Sequence, residues 1–302
     1  MKKYKNPAVR KTIFTLLIYI SLGFLIVYLR EIDYLHLKEL QFKPGYLVAS
    51  LLFLFSGFLV SAMNWYFALK RQDVNCSIGD AIISHGLHIF SKYIPGKLWT
   101  IIGRAGIMSS RIQRPIGELS LISMKEQLVF IWTGMVLSIF LVYSLLDKYI
   151  IACYLIFLFV LTVFLFSKKF HEFIFGKINY FFKNKLFFPY IRVKKFYPVF
   201  FTSIIYWTCW MAGFYLLAIS MKSEITNIAI AFIFPYSAVL GLLAIFVPGG
   251  LGVREGLMVI ALISMGLAEP FSTTFAVISR IWFIIGELFI FIVAFFIRAF
   301  KK

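Results

Sequence analysis

The chain has 302 residues, of which 61% are apolar and 15% charged, with a mean hydropathy of +0.89 and a formal net charge of +18. Globular domains are about half apolar, so this composition excludes a soluble protein and indicates a polytopic α-helical membrane protein. The apolar runs continue over about twenty residues, which also excludes a β-barrel, whose strands alternate over about ten.

The basic N-terminus, MKKYKNPAVRK, precedes an apolar run that we interpret as a retained first transmembrane helix rather than a cleaved signal. Further runs long enough to cross a bilayer follow along the chain. The complete set is 12–29, 46–69, 128–146, 150–166, 199–219, 228–247 and 271–297. Two other runs, 78–90 and 257–267, are too short to span at about 1.5 Å per residue.

Lysine and arginine collect on the cytoplasmic side of membrane proteins, which predicts the orientation. Both termini and the basic segments around Lys70, Arg111 and Lys168–Lys195 would then lie inside. These assignments agree only if residues 78–104 make no net crossing and the run 257–267 either crosses as a short element or is paired with another change of topology. The sequence therefore predicts one all-α integral-membrane domain over residues 1–302, with about eight transmembrane helices and a re-entrant segment at 78–104. The cytoplasmic charge would face anionic lipid, and a nucleic-acid partner is not implied.

Two glycine- and proline-containing breaks interrupt the apolar pattern. VPGGLGVREG, at 247–256, stands where a membrane helix would otherwise continue, and FSKYIPGKLWTIIGR, at 90–104, shares its P-G-x-L core. Irregular backbone at membrane depth is tolerated where it is buried in protein or lines a wet cavity. Paired breaks in the two halves of a chain indicate a transporter substrate site built from broken helices. The alternative is that the glycines permit close helix packing and the arginines reach the interface.

Helices that begin after such breaks present free N–H groups and a positive dipole end, which favour an anionic group such as phosphate. Ionisable side chains within the spans cost about 2.5–3.5 kcal/mol each, so we expect them to turn inward. Arg280 and Glu287 share one helix face, and we expect these residues and Glu126 to pair with one another or with Arg254 and Glu255. A purely structural ion pair is the alternative for Arg280 and Glu287. The predicted substrate-binding residues are Lys97, Arg104, Glu126, Gly249, Gly250, Gly252, Arg254, Glu255, Arg280 and Glu287.

Two histidines, His85 and His88, fall in the short run 78–90 and are interpreted as packing residues. The three cysteines have no C-x-x-C spacing, and neither a nucleophile elbow nor an H-E-x-x-H site is present. The sequence therefore predicts no metal, no cofactor and no catalytic residues.

These motifs resemble the transmembrane, flippase-like domain of lysylphosphatidylglycerol synthetases over essentially the whole chain. The matching positions are Pro95, Gly96, Lys97, Trp99, Gly103, Arg104, Pro248, Gly249, Gly250, Gly252, Glu255 and Arg280. In fused members a soluble aminoacyl-transferase domain follows, whereas this chain ends at RAFKK after its last helix. The resemblance thus implies the lipid-translocating part without synthetase chemistry, in a bundle of about eight helices with a lipid-accessible cavity.

The leading hypothesis is a non-enzymatic flippase of the cytoplasmic membrane. Its substrate would be an anionic phospholipid, an aminoacyl-phospholipid or a polyprenyl-phosphate-linked glycan. One alternative is a membrane-embedded glycosyl- or phospho-transferase with a polyprenyl-phosphate donor, for which Glu31 and Asp33 form an acidic pair. Another is a non-transporting scaffold that recruits envelope-assembly or polysaccharide-synthesis enzymes through its basic loop.

Overall fold

The computed structural model describes residues 42–94, 98–145, 147–170, 191–222, 224–244, 250 and 252–301. Regular structure in these ranges is helical, which confirms the predicted all-α fold. The helices are α1 (Pro44–Lys70), α2 (Ile78–Leu87), α3 (Leu98–Ile112), α4 (Ile116–Leu145), α5 (Lys148–Phe166), α6 (Val193–Met221), α7 (Ile233–Leu243), α8 (Val253–Ser264) and α9 (Glu269–Phe300). Short 3-10 helices at Ile89–Tyr93 and Ile228–Phe232 precede α3 and α7.

Five of these helices, α1, α4, α5, α6 and α9, are long and apolar enough to cross a membrane. Each overlaps one of the long apolar runs of the sequence, so the chain is a multi-pass membrane protein. The first predicted helix, 12–29, lies outside the described residues, as does most of the basic segment 168–195. A total of about eight crossings therefore stays a prediction.

The antiparallel pair of α1 and α6 forms the frame of the bundle. Ser50 donates a hydrogen bond to the carbonyl oxygen of Gly213 at 2.7 Å. Toward the other end of α1, Asn64 donates to the carbonyl oxygen of Val199, also at 2.7 Å. Gly57 lies against the Trp210 ring, where a Cβ would come within 2.4 Å of the indole nitrogen. Small residues and interhelical hydrogen bonds of this kind hold helices together in lipid, where apolar side chains gain little by leaving the acyl chains.

Charged side chains gather at one end of the bundle, which we call the charged end. The Asp80 carboxylate accepts a hydrogen bond from Arg111 at 2.7 Å and lies 3.0 Å from the Lys301 ammonium. Lys195 pairs with Asp73 at 2.8 Å. These residues belong to segments that the charge pattern assigns to the cytoplasm, and they lie together. The side of a membrane that this end faces stays a prediction.

The ionisation of Asp80 reflects these contacts. Burial raises the pKa of its carboxyl, but hydrogen bonds from Ser77, Arg111 and Lys301 outweigh burial. The net result is a pKa held well below the usual range of an aspartate. Asp80 is therefore a stable negative charge to which the basic residues of two other helices are tied.

Helices α2 and α3, with the 3-10 helix before α3, form a hairpin that we call the first hairpin. The Asp80–Arg111 contact joins the first turn of α2 to the last turn of α3, so the chain returns to the charged end from which it started. At the far extreme, a Cβ on Gly103 would lie 3.1 Å from the Ser91 hydroxyl. The first hairpin coincides with the segment 78–104, although a re-entrant path through a membrane stays a prediction.

The run 228–247, predicted to be a spanning helix, forms a helical stretch, Ile228–Leu243, that is shorter than predicted and too short to count among the candidate membrane spans. A 3-10 turn gives way to α7 at Ile233, and α7 ends at Leu243. Pro235 explains the start of α7, because proline lacks an N–H and is tolerated in a first helical turn. With 11 and 12 residues, α7 and α8 are about 17 and 18 Å long, so neither crosses a core of about 30 Å alone.

Helices α7 and α8 form a second hairpin that runs the opposite way. Near its tip, a Cβ on Gly241 of α7 would lie 3.1 Å from the Cβ of Arg254 in α8. At its base, Tyr236 and Ser264 line a small crevice with Leu145, the last residue of α4. Because α4 starts beside the charged end and terminates at the opposite end, the two hairpins enter the bundle from opposite ends.

Candidate functional site

The tips of the two hairpins meet around a cavity of about 190 Å³ inside the bundle. Its walls come from both hairpins and from α1, α4, α6 and α9. Polar lining residues are Ser61, His85, His88, Lys92, Thr100, Arg104, Glu126, Gln127, Arg254, Arg280 and Glu287, and aromatic ones are Phe58, Phe130, Tyr206, Trp207, Trp210, Phe234 and Phe283. The lining of the cavity is therefore both charged and aromatic.

Arg104, in α3, is held firmly in the wall of the cavity. Its guanidinium lies 2.5 Å from the Glu126 carboxylate and 2.8 Å from the Ser123 hydroxyl, and it stacks 4.1 Å from the Trp65 ring. Arg104 is 4% exposed and Glu126 is 6% exposed. The partner of Glu126 is therefore Arg104 of the neighbouring helix, which is not among the partners expected from the sequence. The pair joins the first hairpin to α4.

Glu287, in α9, pairs with the first hairpin rather than with Arg280. Its carboxylate accepts hydrogen bonds from Lys92 and, at 2.9 Å, from the Tyr93 hydroxyl. Glu287 is fully buried. Lys92 and Tyr93 lie in the 3-10 helix at the start of the first break. The partner of Glu287 is therefore set by the tip of the first hairpin and not by its own helix face. A direct Arg280–Glu287 ion pair is therefore not formed.

Arg280 and Arg254 connect the cavity to the second hairpin. The Arg280 guanidinium lies 3.8 Å from the Glu255 carboxylate, which is one of the pairings expected from the sequence. Arg254 lies over the rings of Phe234 and Phe283, at 4.9 and 5.0 Å from their centroids. A guanidinium over an aromatic face is attracted by the negative face of the ring.

Residues of the break at 247–256 form part of the cavity wall. Gly250 lines the cavity with a φ of +72°, and a Cβ there would lie 2.9 Å from the carbonyl oxygen of Gly241. Gly252 has a φ of +73° and precedes α8 without a side-chain cap. These left-handed conformations explain why glycine occupies both positions. Arg254 follows in the first turn of α8, so the positive end of that helix is beside the cavity.

Several predicted positions lie outside the described residues. They are Lys97 and Gly249 of the candidate site, with Pro95, Gly96 and Pro248 of the two breaks. Glu31 and Asp33, the acidic pair of the transferase alternative, also lie outside. Residues of both breaks nevertheless line one cavity, because Lys92 and Thr100 belong to the first break and Gly250 and Arg254 to the second.

Several residues that line this cavity are not among those predicted from the sequence. Lys92 was passed over, although a lysine three residues before Pro95 in an apolar stretch is a usable signal. His85 and His88 were interpreted as packing residues; they are buried and also line the cavity, with the His85 Nε2 3.1 Å from the Ser61 hydroxyl. The seven lining aromatics had no distinguishing pattern in a chain with 36 phenylalanines.

A family model described as the lysylphosphatidylglycerol synthase TM region matches residues 12–294. The match covers more than nine-tenths of the chain, so this chain belongs to that family. No curated protein matches it.

Proposed function

We propose that this member of the lysylphosphatidylglycerol synthase TM-region family binds the headgroup of a membrane lipid in the central cavity and carries it between leaflets. The observation that supports the proposal most directly is a charged cavity at the meeting point of two helical hairpins that enter from opposite ends. The lipid is an anionic phospholipid, an aminoacyl-phospholipid or a polyprenyl-phosphate-linked glycan. All three contain a phosphate, which is the group that the cavity recognises.

The charge of the lining favours an anion. Its cationic residues are Lys92, Arg104, Arg254 and Arg280, and its acidic residues are Glu126 and Glu287. Glu255 adds a third carboxylate at 3.8 Å from Arg280. The N-terminal turns of α3 and α8 also reach the cavity and add the positive ends of two helix dipoles. A phosphate brought out of water would find its charge compensated here.

The size of the cavity suggests that only the headgroup enters it. Its volume of about 190 Å³ is many times the roughly 10–15 Å³ that one buried water needs on the same measure. Such a space holds a phosphate with a small substituent, while the lipid chains remain in the bilayer. The aromatic part of the lining provides an apolar surface for the first carbons of those chains.

The hairpins suggest how the headgroup could leave on either side. Each hairpin is anchored at its base and meets the other at its tip, and both tips contact α9 through Glu287 and Arg280. Movement of one hairpin against the rest of the bundle would open the cavity to one leaflet, and movement of the other to the opposite leaflet. Broken helices around a central site serve alternating access in this way. We place the charged end in the cytoplasm, following the distribution of basic residues.

The proposal is tested by reconstituting the purified protein in liposomes and measuring exchange of fluorescent lipids between leaflets. Phosphatidylglycerol, lysylphosphatidylglycerol and a polyprenyl-phosphate-linked sugar distinguish the three substrates. We expect at least one to exchange faster than in empty liposomes, and Arg254→Gln to slow that exchange. Arg192→Gln removes the same charge at an exposed position and serves as the control. Unchanged exchange for every lipid would contradict the proposal.

A further inference from the structure

Among the cationic side chains of the cavity, Lys92 is held differently from the arginines. Its side chain is 25% exposed, whereas the side chains of Arg104 and Arg280 are 5% and 4% exposed. Arg104 is bound by Glu126 and Ser123 and is covered by Trp65. The hydrogen bond of Lys92 within the described residues goes to Glu287, and an ammonium group has three N–H donors. Lys92 therefore retains donors for a ligand in the cavity.

The partner of Lys92 is in the opposite situation. Glu287 is fully buried, and each of its carboxylate oxygens accepts a hydrogen bond, one from Lys92 and one from the Tyr93 hydroxyl. A buried carboxylate held by an ammonium and a hydroxyl resembles a bound anion, with the difference that it is part of the protein. A phosphate offers the same kind of acceptor oxygens to the same donors.

A phosphate on Lys92 would also be close to the second hairpin. The Lys92 ammonium and the Arg254 guanidinium lie 5.1 and 5.0 Å from the centroid of one ring, Phe283. The two charges are therefore within about 10 Å of each other, although they belong to different hairpins. A headgroup that contacts both cations would connect the two hairpin tips.

We propose that Lys92 is a headgroup-binding residue and that Glu287 is its internal counter-ion. In the empty cavity the Glu287 carboxylate forms an ion pair with the Lys92 ammonium. When a headgroup binds, its phosphate replaces the carboxylate as the partner of Lys92, and Glu287 keeps its hydrogen bond from Tyr93. When the headgroup leaves, Glu287 recaptures Lys92, so a buried ammonium is never left without an acceptor. This inference rests on the proposed function of the cavity, and it assigns Glu287 to anion release rather than to recognition of a cationic headgroup.

The test is a double-mutant cycle on binding of two soluble anionic probes, dioctanoyl-phosphatidylglycerol and farnesyl phosphate. Trp207 and Trp210 line the cavity, so tryptophan fluorescence of the detergent-solubilised full chain reports binding. Glu287→Gln removes the carboxylate that competes with the phosphate for Lys92 and should bind the anionic probes roughly tenfold more tightly. Lys92→Gln should bind them roughly tenfold more weakly. The double variant should match Lys92→Gln, because the effect of Glu287 acts through Lys92.

Transport provides the second readout. At saturating lipid, Glu287→Gln should exchange lipid more slowly than wild type, because the headgroup is released without a competing carboxylate. Asp80→Asn is the matched control, since it also removes the carboxylate of a first-hairpin ion pair but lies at the charged end, and it should leave the affinity unchanged. Dioctanoylglycerol, which lacks the phosphate, should show no difference between variants.

Folding is checked by thermal unfolding of all variants. In the double variant both charges of the ion pair are removed, so no unpaired charge is left to destabilise the fold. Weaker or unchanged anion binding by Glu287→Gln overturns the inference, as does a gain in affinity that persists without Lys92. If wild type binds and moves lipid while Glu287→Gln behaves like wild type, only this inference fails. If wild type neither binds the anionic probes nor moves any lipid, the proposed function fails with it.

Discussion

The packing of the first hairpin against α9 can be tested with one methyl group, by Gly86→Ala. Gly86 lies in α2, and a Cβ there would lie 2.4 Å from the carbonyl oxygen of Ile290 and 2.5 Å from the Cβ of Ala294. Ordinary contacts of a Cβ begin at 3.4 Å, so the two helices must separate by about 1 Å. No side-chain rotation relieves either contact, because one atom is backbone and the other is a Cβ.

The expected cost follows from two opposing effects. Overpacking a well-packed interior costs about 1–3 kcal/mol. Replacing glycine by alanine in a helix contributes up to about 1 kcal/mol in the other direction. We therefore expect Gly86→Ala to lower the free energy of unfolding by up to about 2 kcal/mol relative to wild type. Gly117→Ala is the matched control, because Gly117 lies in the first turn of α4 and its Cβ would meet nothing within 4 Å.

The free energies are measured by denaturing the purified variants with dodecyl sulfate in mixed micelles and following helicity. Leaflet exchange is measured in parallel, since a separation of α2 from α9 would draw Lys92 away from Glu287. We expect Gly117→Ala to match or exceed wild-type stability and to leave exchange unchanged. If Gly86→Ala is as stable as Gly117→Ala, the close approach of α2 to α9 and the reasoning built on it are wrong.

Three further outcomes are expected. Gly250→Ala should reduce lipid exchange and cost about 1 kcal/mol or more, because its φ is +72° and its Cβ would meet a carbonyl oxygen at 2.9 Å; Gly252→Ala has a similar φ but open space, and it measures the backbone effect alone. Glu126→Gln should lower the free energy of unfolding by about 3–5 kcal/mol, because Arg104 stays buried without its carboxylate; full stability of this variant would contradict the pair. Asp80→Asn should lower the melting temperature by an amount that is constant from neutral pH to about pH 5. This difference should shrink below about pH 4, because a lowered carboxyl pKa stabilises the fold above the unfolded value of 3.8 and the contribution is lost as pH falls through the folded value. A difference that widens on acidification would contradict the assignment.

Much of the candidate site could be found from the sequence because charge and broken backbone are costly in lipid. Arg104, Arg254, Arg280, Glu126 and Glu287 stand out for this reason, and all five line the cavity. Their partners could not be found in the same way. Lys92 and Glu287 are far apart in the chain, and they meet because the hairpin tip is placed against α9. A sequence pattern on one helix predicts which face is polar, but it does not predict which side chain of a neighbouring helix pairs with that face.

The sequence by itself determined that this protein is an all-α, multi-pass membrane protein with two interrupted segments, because uninterrupted apolar runs match the thickness of a bilayer and proline and glycine cannot continue them. Only the tertiary structure decided that the segment 228–243 is part of a second hairpin rather than a spanning helix, and that Lys92 rather than Arg280 holds Glu287. The reason is physical. The cost of placing a polar residue in lipid depends on that residue and its sequence neighbours, so it can be read from the sequence. Ion pairing depends on distances between side chains, and these are set by the packing of helices that are distant in sequence.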